Sequence, residues 1–295
     1  MVSAMRLIVI LNGAKQKVKR FNLTWYGSLA SAFDLDVRTT HYAGHAEELA
    51  NKAAEENPDG ILAAGGDGTL SQVVNGLMKS NHKIPVGIVP LGTGNDFAKL
   101  NRLINPAKLI AAIKNGGVAT DVGCIVHGAD QKRFYINVAS LGMGPDVVKR
   151  LENDSRWLGP DLTYLKSTIK SFFGYRPESL TIEWNDRDWS GSIRSVAVAN
   201  GKTFGSGLTV APEAEANDGR LNLFVAGDVP LMQFLYFLGK IKRGKKVHHH
   251  KALYAEAERV CIRSGEEVWI EADGELVGKT PAAFTVLPGG IKFFR

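Results

Sequence analysis

Five residues, Gly65-Gly66-Asp67-Gly68-Thr69, follow the apolar run Ile61-Leu62-Ala63-Ala64 and precede a helical pattern. Glycines at the end of a buried strand let the backbone approach a ligand more closely than any Cβ permits. Exposed amides in such a turn, continued into a helix N-terminus, form a phosphate cradle. By itself the stretch spells an anion-binding turn, with a bare strand-to-helix turn as the plain alternative. A second compact segment, Pro90-Leu91-Gly92-Thr93-Gly94-Asn95-Asp96-Phe97-Ala98, makes nucleotide binding the better account. Near the other end, Glu271-Ala272-Asp273-Gly274-Glu275 puts two carboxylates, Asp273 and Glu275, in a turn after Val268-Trp269. Neighbouring carboxylates perturb each other's protonation; solvent-facing turn charges are the alternative reading.

The first cradle needs a scaffold, and the sequence before it supplies one. Arg6 to Leu11 reads as a buried strand and Asn12-Gly13 as its turn. Lys15, Lys17, Lys19 and Arg20 follow as a basic loop, either a solvated face or a contact for phosphates at the mouth of a sheet. Trp25 through Phe33 has helical spacing, and Asp36 to Thr40 reads as a second strand. Gly44-His45-Ala46 opens a helix through Ala54, with Glu47 and Glu48 near its positive end. Asn57-Pro58-Asp59-Gly60 stops it before the third strand. Ser71 to Lys79 continues the glycine turn as a helix with Val73, Val74 and Leu77 as its apolar stripe. Pro85 to Val89 is a fourth strand, and helices follow from Asn95-Asp96 and over Pro106 to Lys114. This alternation indicates a parallel α/β domain.

From Thr120 the character changes. Strand-like pieces at Asp121 to Val126, Arg133 to Ala139, Ser179 to Trp184, Gly191 to Ala199, Arg220 to Val225 and Arg259 to Arg263 are separated by Gly, Asn, Asp and Pro turns. They favour a mostly β second domain. Leu158 to Phe173 interrupts it with helical apolar spacing, as does Val229 to Ile241, which runs into Lys242-Arg243-Gly244-Lys245-Lys246. The latter reads first as buried core and second as a membrane-facing lip with basic flanks. His248, His249 and His250 lack the spacing of a structural metal site. Phe284 to Leu287 and Ile291 to Phe294 are separated by Pro288-Gly289-Gly290.

A chain of 295 residues is more naturally two domains than one. With 36 Lys and Arg against 30 Asp and Glu, the formal charge of +6 invites an anionic partner without choosing among nucleotide, nucleic acid and membrane. Cys124 and Cys261 have no metal-ligand spacing, so a reduced intracellular protein is the default. No apolar run approaches the ~20 residues that cross a bilayer, and no signal-peptide pattern opens the chain.

In order along the chain, several pieces resemble the bacterial lipid kinase family related to the soluble diacylglycerol kinases. They are Asn12, Gly65 to Thr69, Val73-Val74-Asn75-Gly76, Pro90 to Ala98, Gly205-Ser206-Gly207, Ala211-Pro212, Asn217-Asp218-Gly219 and Asp273-Gly274-Glu275. The matching order spans nearly the full chain. Gly-Gly-Asp-Gly alone is less specific, since it also occurs in NAD kinases and ATP-dependent 6-phosphofructokinases; the long Gly-Thr-Gly-Asn-Asp-Phe-Ala segment favours the lipid kinase branch.

The resemblance implies an α/β N-terminal nucleotide-binding domain over residues 1–122 and a mostly β C-terminal sandwich domain over residues 123–285. Residues 286–295 would return as a strand to the first domain, with the active site in the cleft. It implies that Gly65, Gly66, Asp67, Gly68 and Thr69 hold ATP, helped by Thr40 and Thr93, with Asn12 lining the nucleotide side. Asn95 and Asp96 join them, Asp96 through the Mg-nucleotide or substrate network. Asp273 is the leading general base for a lipid hydroxyl attacking the γ-phosphate; Glu275 orients the attacking group or binds Mg²⁺, and the two roles are exchangeable. Asp218 resembles an accessory metal-site aspartate, with Glu215 and a backbone carbonyl near Arg220 as companions; a bare Asx-Gly turn is the alternative.

Two departures stand out. Gly13-Ala14-Lys15 follows Asn12 in place of the family's frequent proline-containing, glycine-rich turn, and Gln72 stands where glutamate is usual. The expectation is an ATP- and Mg²⁺-dependent lipid kinase, cytoplasmic and transiently at the membrane surface, acting on a lipid such as diacylglycerol or phosphatidylglycerol. No nucleic-acid partner is expected. A homodimer is a possible partner, although no periodic apolar seam requires one. An NAD kinase-like enzyme and a nucleotide-binding regulatory protein without turnover are the competing accounts.

Overall fold

The computed structural model describes residues 5–80, 82–92, 94–153, 160–205 and 207–295. The chain divides into two compact units, Met1–Thr120 with Gly289–Arg295, and Asp121–Pro288.

In the first unit, apolar runs make parallel strands and the segments between them make helices. The order is β1 (Arg6–Leu11), α1 (Lys15–Phe21), a π-helical turn (Asn22–Tyr26), α2 (Gly27–Ala30), β2 (Asp34–Thr39), α3 (His45–Glu55), β3 (Gly60–Gly65), α4 (Asp67–Lys79), β4 (Val86–Pro90), α5 (Asp96–Leu100) and α6 (Pro106–Lys114). β1 pairs in parallel with β2 on one side and β3 on the other. β3 pairs in parallel with β4, and Phe293 pairs in parallel with Val86. A strand covered on both faces needs no polar alternation, and Leu7 through Ile10 and Ile61 through Ala64 are fully buried. The parallel arrangement sets the ends of β1, β3 and β4 along one edge, where ligands of such sheets bind. α4 lies so close to α3 that a Cβ on Gly76 would come within 2.3 Å of the Glu47 carbonyl oxygen.

The expected basic loop at Lys15 to Arg20 is instead α1. Val18 and Phe21, three residues apart, give the segment a side to pack, and Phe21 is fully buried while Lys15, Lys19 and Arg20 stay exposed. Lysine and arginine are good helix formers once such an anchor exists.

The second unit takes in β5 (Val118–His127) from Asp121 onward, then β6 (Gln131–Tyr135), β7 (Val138–Gly142), α7 (Met143–Asn153), α8 (Pro160–Gly174), β8 (Glu178–Trp184) and β9 (Arg187–Ala199). After these come β10 (Thr203–Phe204), β11 (Leu208–Thr209), β12 (Leu221–Gly227), α9 (Leu231–Lys242), β13 (Ala252–Ala257), β14 (Arg259–Ser264), β15 (Trp269–Ala272), β16 (Glu275–Lys279) and β17 (Ala282–Phe293). The long β9 organises this mostly β sandwich. Its first half makes a hairpin with β8, and its second half lies between β7 and β12, all antiparallel. β15 adds to β7 and carries β16, while β14 lies between β8 and β17. Tyr135, Leu141, Ile182, Val196, Val260 and Phe284 are among the side chains of its core. A second cluster, including Phe224, Phe237 and Ile241, seats α9.

Three expectations change here. The single strand over Arg133 to Ala139 is split, with β6 ending at Tyr135 and β7 starting at Val138. Pro288-Gly289-Gly290 does not interrupt β17, because Gly289 takes φ 58° inside the strand. α7 has no counterpart in the expected elements, and Leu158, the expected start of the next helix, lies outside the described residues. Among the described residues no helix is long and apolar enough to cross a membrane.

Candidate active site

Two glycine loops interlock at the edge of the parallel sheet. The Leu91 and Gly92 N–H groups both donate to the Gly65 carbonyl, at 2.7 and 3.0 Å. A Cβ on Gly92 would lie 2.5 Å from the Gly66 Cα, and one on Gly65 would lie 2.2 Å from Thr69 Oγ1. Asn95, at φ 52°, closes the second loop: its Oδ1 accepts the Gly92 N–H at 2.9 Å and its Nδ2 donates to the Gly92 carbonyl at 2.8 Å. Asp67 spans the two loops. Its Oδ2 accepts the Asp96 N–H and its Oδ1 the Phe97 N–H, each at 3.1 Å, which places an acid at the positive end of α5.

β1 delivers Asn12 to the same edge, where its Nδ2 donates to Thr69 Oγ1 at 3.3 Å and its Oδ1 accepts the Ala14 N–H at 3.2 Å. Thr40 Oγ1 accepts the Gly13 N–H at 3.1 Å. A Cβ on Gly13 would sit 2.0 Å from the Thr40 carbonyl oxygen, so the unusual Gly13-Ala14-Lys15 turn keeps glycine where the backbone demands it. The structure thus links Asn12, Thr40, Gly65 to Thr69, Asn95 and Asp96 into one assembly, while Thr93 lies outside the described residues. α4 starts at Asp67 without a side-chain cap. The helix itself offers no partners to its first-turn amides, and glycines at 66 and 68 leave the approach bare. These residues fit a bound phosphate chain.

In the second unit, Asp273 and Glu275 have different surroundings. Asp273, at φ 49°, takes three main-chain donors on one carboxylate: Ile136 N–H on Oδ2 at 2.9 Å, and Asn137 and Val138 N–H on Oδ1 at 3.0 and 3.2 Å. Its own N–H donates to the Val138 carbonyl at 3.0 Å. This explains the break between β6 and β7, since three successive amides turn to one side chain. Glu275 Oε2 instead accepts from Arg133 Nη2 at 2.7 Å.

Behind the turn lies Glu271, almost fully buried. Ser140 Oγ donates to its Oε1 at 2.7 Å and the Gly274 N–H to its Oε2 at 3.0 Å. Burial pushes its carboxyl up to about 7; the two hydrogen bonds oppose the rise and the charge of Asp273 adds to it. Sequence reasoning did not single out Arg133, Ser140 or Glu271. An acid inside the apolar strand Trp269-Ile270-Glu271-Ala272 was the available signal for the last, whereas Arg133 is paired across 142 positions and offered none.

The expected metal residues gather at another turn. Asp218 Oδ1 accepts the Arg220 N–H at 2.9 Å, and buried Asp121 accepts the Gly219 N–H at 2.7 Å. Desolvation raises the Asp218 carboxyl above its ordinary range, and the charges of Asp121 and Glu215 add to this against the Arg220 hydrogen bond. The Arg220 guanidinium is turned to Glu256, 3.2 Å away, so only its backbone is suited to a cation. Among the described residues no three His, Cys, Asp or Glu side chains form a metal cluster. Asp218 with Glu215 and a carbonyl is a sparse oxygen set that suits Mg²⁺, which keeps several of its waters.

Residues 6–125 match the family model described as the diacylglycerol kinase catalytic domain, and residues 138–295 match the YegS C-terminal NAD kinase beta sandwich-like domain. A diacylglycerol kinase of Bacillus subtilis (strain 168) is 28% identical over 258 residues, covering 87% of this chain and 84% of that protein. A diacylglycerol kinase of Staphylococcus carnosus (strain TM300) is 26% identical over 269 residues, covering 90% and 85%. The crystal structure of a diacylglycerol kinase from Bacillus anthracis str. Sterne superposes with a TM-score of 0.72 at 21% identity, covering 100% of this chain and 97% of that one. A second structure from that strain reaches 0.82 at 24% identity, covering 100% and 98%. Such structural likeness speaks to the fold. Two domain matches in sequence order add the lineage: the chain belongs to the soluble lipid kinase family that joins a diacylglycerol kinase catalytic domain to a YegS C-terminal domain.

Proposed function

We propose that this protein is an ATP- and Mg²⁺-dependent lipid kinase that transfers a γ-phosphoryl group to the hydroxyl of a membrane lipid such as diacylglycerol or phosphatidylglycerol. The observation that carries this reading is the interlock of Gly66 and Gly92 tied by Asp67, beside the uncapped first turn of α4. Phosphoryl transfer depends on in-line placement and on stabilising charge at the phosphoryl oxygens. The α4 amides suit the phosphates, and Asn12, Thr40 and Thr69 suit the nucleotide side. Mg²⁺ bound with the nucleotide would neutralise phosphoryl charge, and Asp218, Glu215 and a backbone carbonyl near Arg220 would hold a second ion that steadies the β unit.

Of the two turn carboxylates, Glu275 is the better proton acceptor. Both oxygens of Asp273 are engaged by main-chain N–H groups, so it shapes the turn. Glu275 Oε2 accepts from Arg133 Nη2 at 2.7 Å, and its side chain is 30% exposed. This exchanges the roles first expected for the pair. As the lipid oxygen bonds to the γ-phosphorus, the bond from that phosphorus to the ADP oxygen breaks and the hydroxyl proton passes to Glu275. A cytoplasmic protein visiting the membrane surface transiently fits a lipid acceptor.

The test is transfer of label from γ-labelled ATP to extracted membrane lipids, with NAD present as a competing acceptor and products separated by mass. Labelled phospholipid is expected. Labelled NADP without any lipid product would overturn the reading.

A further inference from the structure

Ile136 and Asn137 lie between β6 and β7 and belong to neither strand, yet all four of their main-chain polar groups are held. Asp273 accepts both N–H groups, at 2.9 and 3.0 Å. Both carbonyls are answered from one place in the chain, the two residues that follow β9. Asn200 Nδ2 donates to the Ile136 carbonyl at 2.8 Å. The Asn200 and Gly201 N–H groups donate to the Asn137 carbonyl at 2.9 and 2.7 Å. Asn200 is completely buried, and its Nδ2 also donates to the Asp121 carbonyl at 2.9 Å, which anchors this clamp to the first residue of the unit.

The chemistry at position 200 requires an amide. Two carbonyls converge on one nitrogen, which uses both of its donors; turning the amide over would set its oxygen against both of them. Serine offers one donor and a carboxylate offers none. Position 201 is as constrained, because a Cβ there would lie 2.1 Å from Asn137 Oδ1. Asn200 Oδ1 and Asn137 Oδ1 are themselves buried without a hydrogen-bond partner. Such oxygens cost stability, so the clamp is better explained by the position it imposes than by the stability it adds.

We infer that Asn200 is a positioning residue for the proton-accepting turn. It fixes Ile136 and Asn137, their amides fix the Asp273 carboxylate, and Glu275 opens β16 directly after that turn. Without the Asn200 amide, the Ile136 and Asp121 carbonyls lose their donor, the segment shifts, and Glu275 is carried out of line with the acceptor hydroxyl. A misplacement of about 1 Å costs on the order of 10²-fold in rate. The inference deepens the proposed phosphoryl transfer and rests on Glu275 as its proton acceptor.

The test joins amide hydrogen exchange to kinetics in the full chain. In Asn200→Ala, exchange at Ile136 and Asn137 is expected to quicken about 10-fold or more relative to Val196 and Val198 in the middle of β9. Asn200→Ser, which keeps one donor, is expected to fall between the alanine variant and wild type. The kcat for lipid phosphorylation by Asn200→Ala is expected to drop about 10²-fold, with the KM for ATP within about twofold of wild type, since uniform binding is untouched. Added to Glu275→Gln, the same substitution is expected to change kcat less than threefold, because the group it positions is already gone. Equal loss of protection at all four amides, wild-type kcat in Asn200→Ala, or the same fold-loss with and without Glu275 would overturn the positioning role. Should Asn200→Ala fail to fold, Asn200→Ser supplies the same comparisons. If wild type phosphorylates no lipid, the kinase reading fails, while the exchange rates at Ile136 and Asn137 still decide whether Asn200 holds the segment.

Discussion

Asp67 Oδ2 accepts the backbone N–H of Asp96 at 3.1 Å, and this one contact ties the end of β3 to the start of α5. The same carboxylate also takes the Phe97 N–H at 3.1 Å. Asp67→Ala therefore leaves two amides without their acceptor beside a largely buried Asp96. The expected cost is about 1–3 kcal/mol in unfolding free energy, with ATP affinity lowered about tenfold as the loops separate. Asp67→Asn keeps one acceptor oxygen and falls between. Urea unfolding and calorimetric titration with a non-hydrolysable ATP analogue check this; wild-type values for the alanine variant would refute it.

The glycine pair predicts an order of effects. A Cβ at position 92 would meet the Gly66 Cα at 2.5 Å, whereas one at position 66 would meet the Gly92 Cα at 3.2 Å. Gly92→Ala must push the two backbones apart, while Gly66→Ala needs a shift of a few tenths of an ångström. The first is expected to destabilise by about 1–3 kcal/mol, typical of overpacking, and to abolish measurable nucleotide binding; the second retains weakened binding. Thermal shift with and without nucleotide ranks them, and the reverse order would discard the interlock as the basis of the site.

What was legible in the sequence follows from which constraints are local. Gly65 and Gly66 are required by neighbours a few residues away or by a backbone at one sheet edge, so a strand, a glycine turn and a helix predict them together. Asp273 is different. Its partners, the amides of Ile136 to Val138, lie far away in sequence, and the strand expected to run through them is broken by that contact. Residue spacing registers apolar periodicity and is blind to direction, so α8 read as a helix without showing that its stripe faces outward. Arg133 and Glu275 illustrate the same limit, since an ion pair between residues 142 positions apart leaves no mark at either end.

Glu271 makes stability depend on pH. Its folded carboxyl is raised from 4.5 to about 7, mainly by burial. Between those values the native state holds a proton that the unfolded chain has released, so stability falls as pH rises. The contribution is fully present below about pH 4.5 and lost through about pH 7, amounting to roughly 3 kcal/mol at 1.36 kcal/mol per unit. Glu271→Gln keeps the shape and the acceptor for Ser140 without titrating. Urea midpoints of wild type and variant across pH 4 to 8 are expected to diverge upward in pH, the variant gaining on wild type; parallel profiles would reject the raised carboxyl.

The Asp273 and Glu275 pair separates stability from turnover. Asp273→Asn replaces one acceptor oxygen by an NH₂ group that faces main-chain N–H donors, so hydrogen bonds are lost and donors are set against one another. A drop of about 2–4 kcal/mol in unfolding free energy is expected, with turnover falling because the turn deforms. Glu275→Gln breaks a partly exposed ion pair with Arg133, worth about 1 kcal/mol or less, and removes the group proposed to accept the hydroxyl proton. Its expected signature is kcat lowered ~10²–10⁴-fold with the KM for ATP and the unfolding midpoint near wild type. The deciding comparison is therefore made at a temperature where both variants are folded. If Asp273→Asn is as stable as wild type and inactive, while Glu275→Gln turns over normally, Asp273 is the proton acceptor and the three amides orient it for that task.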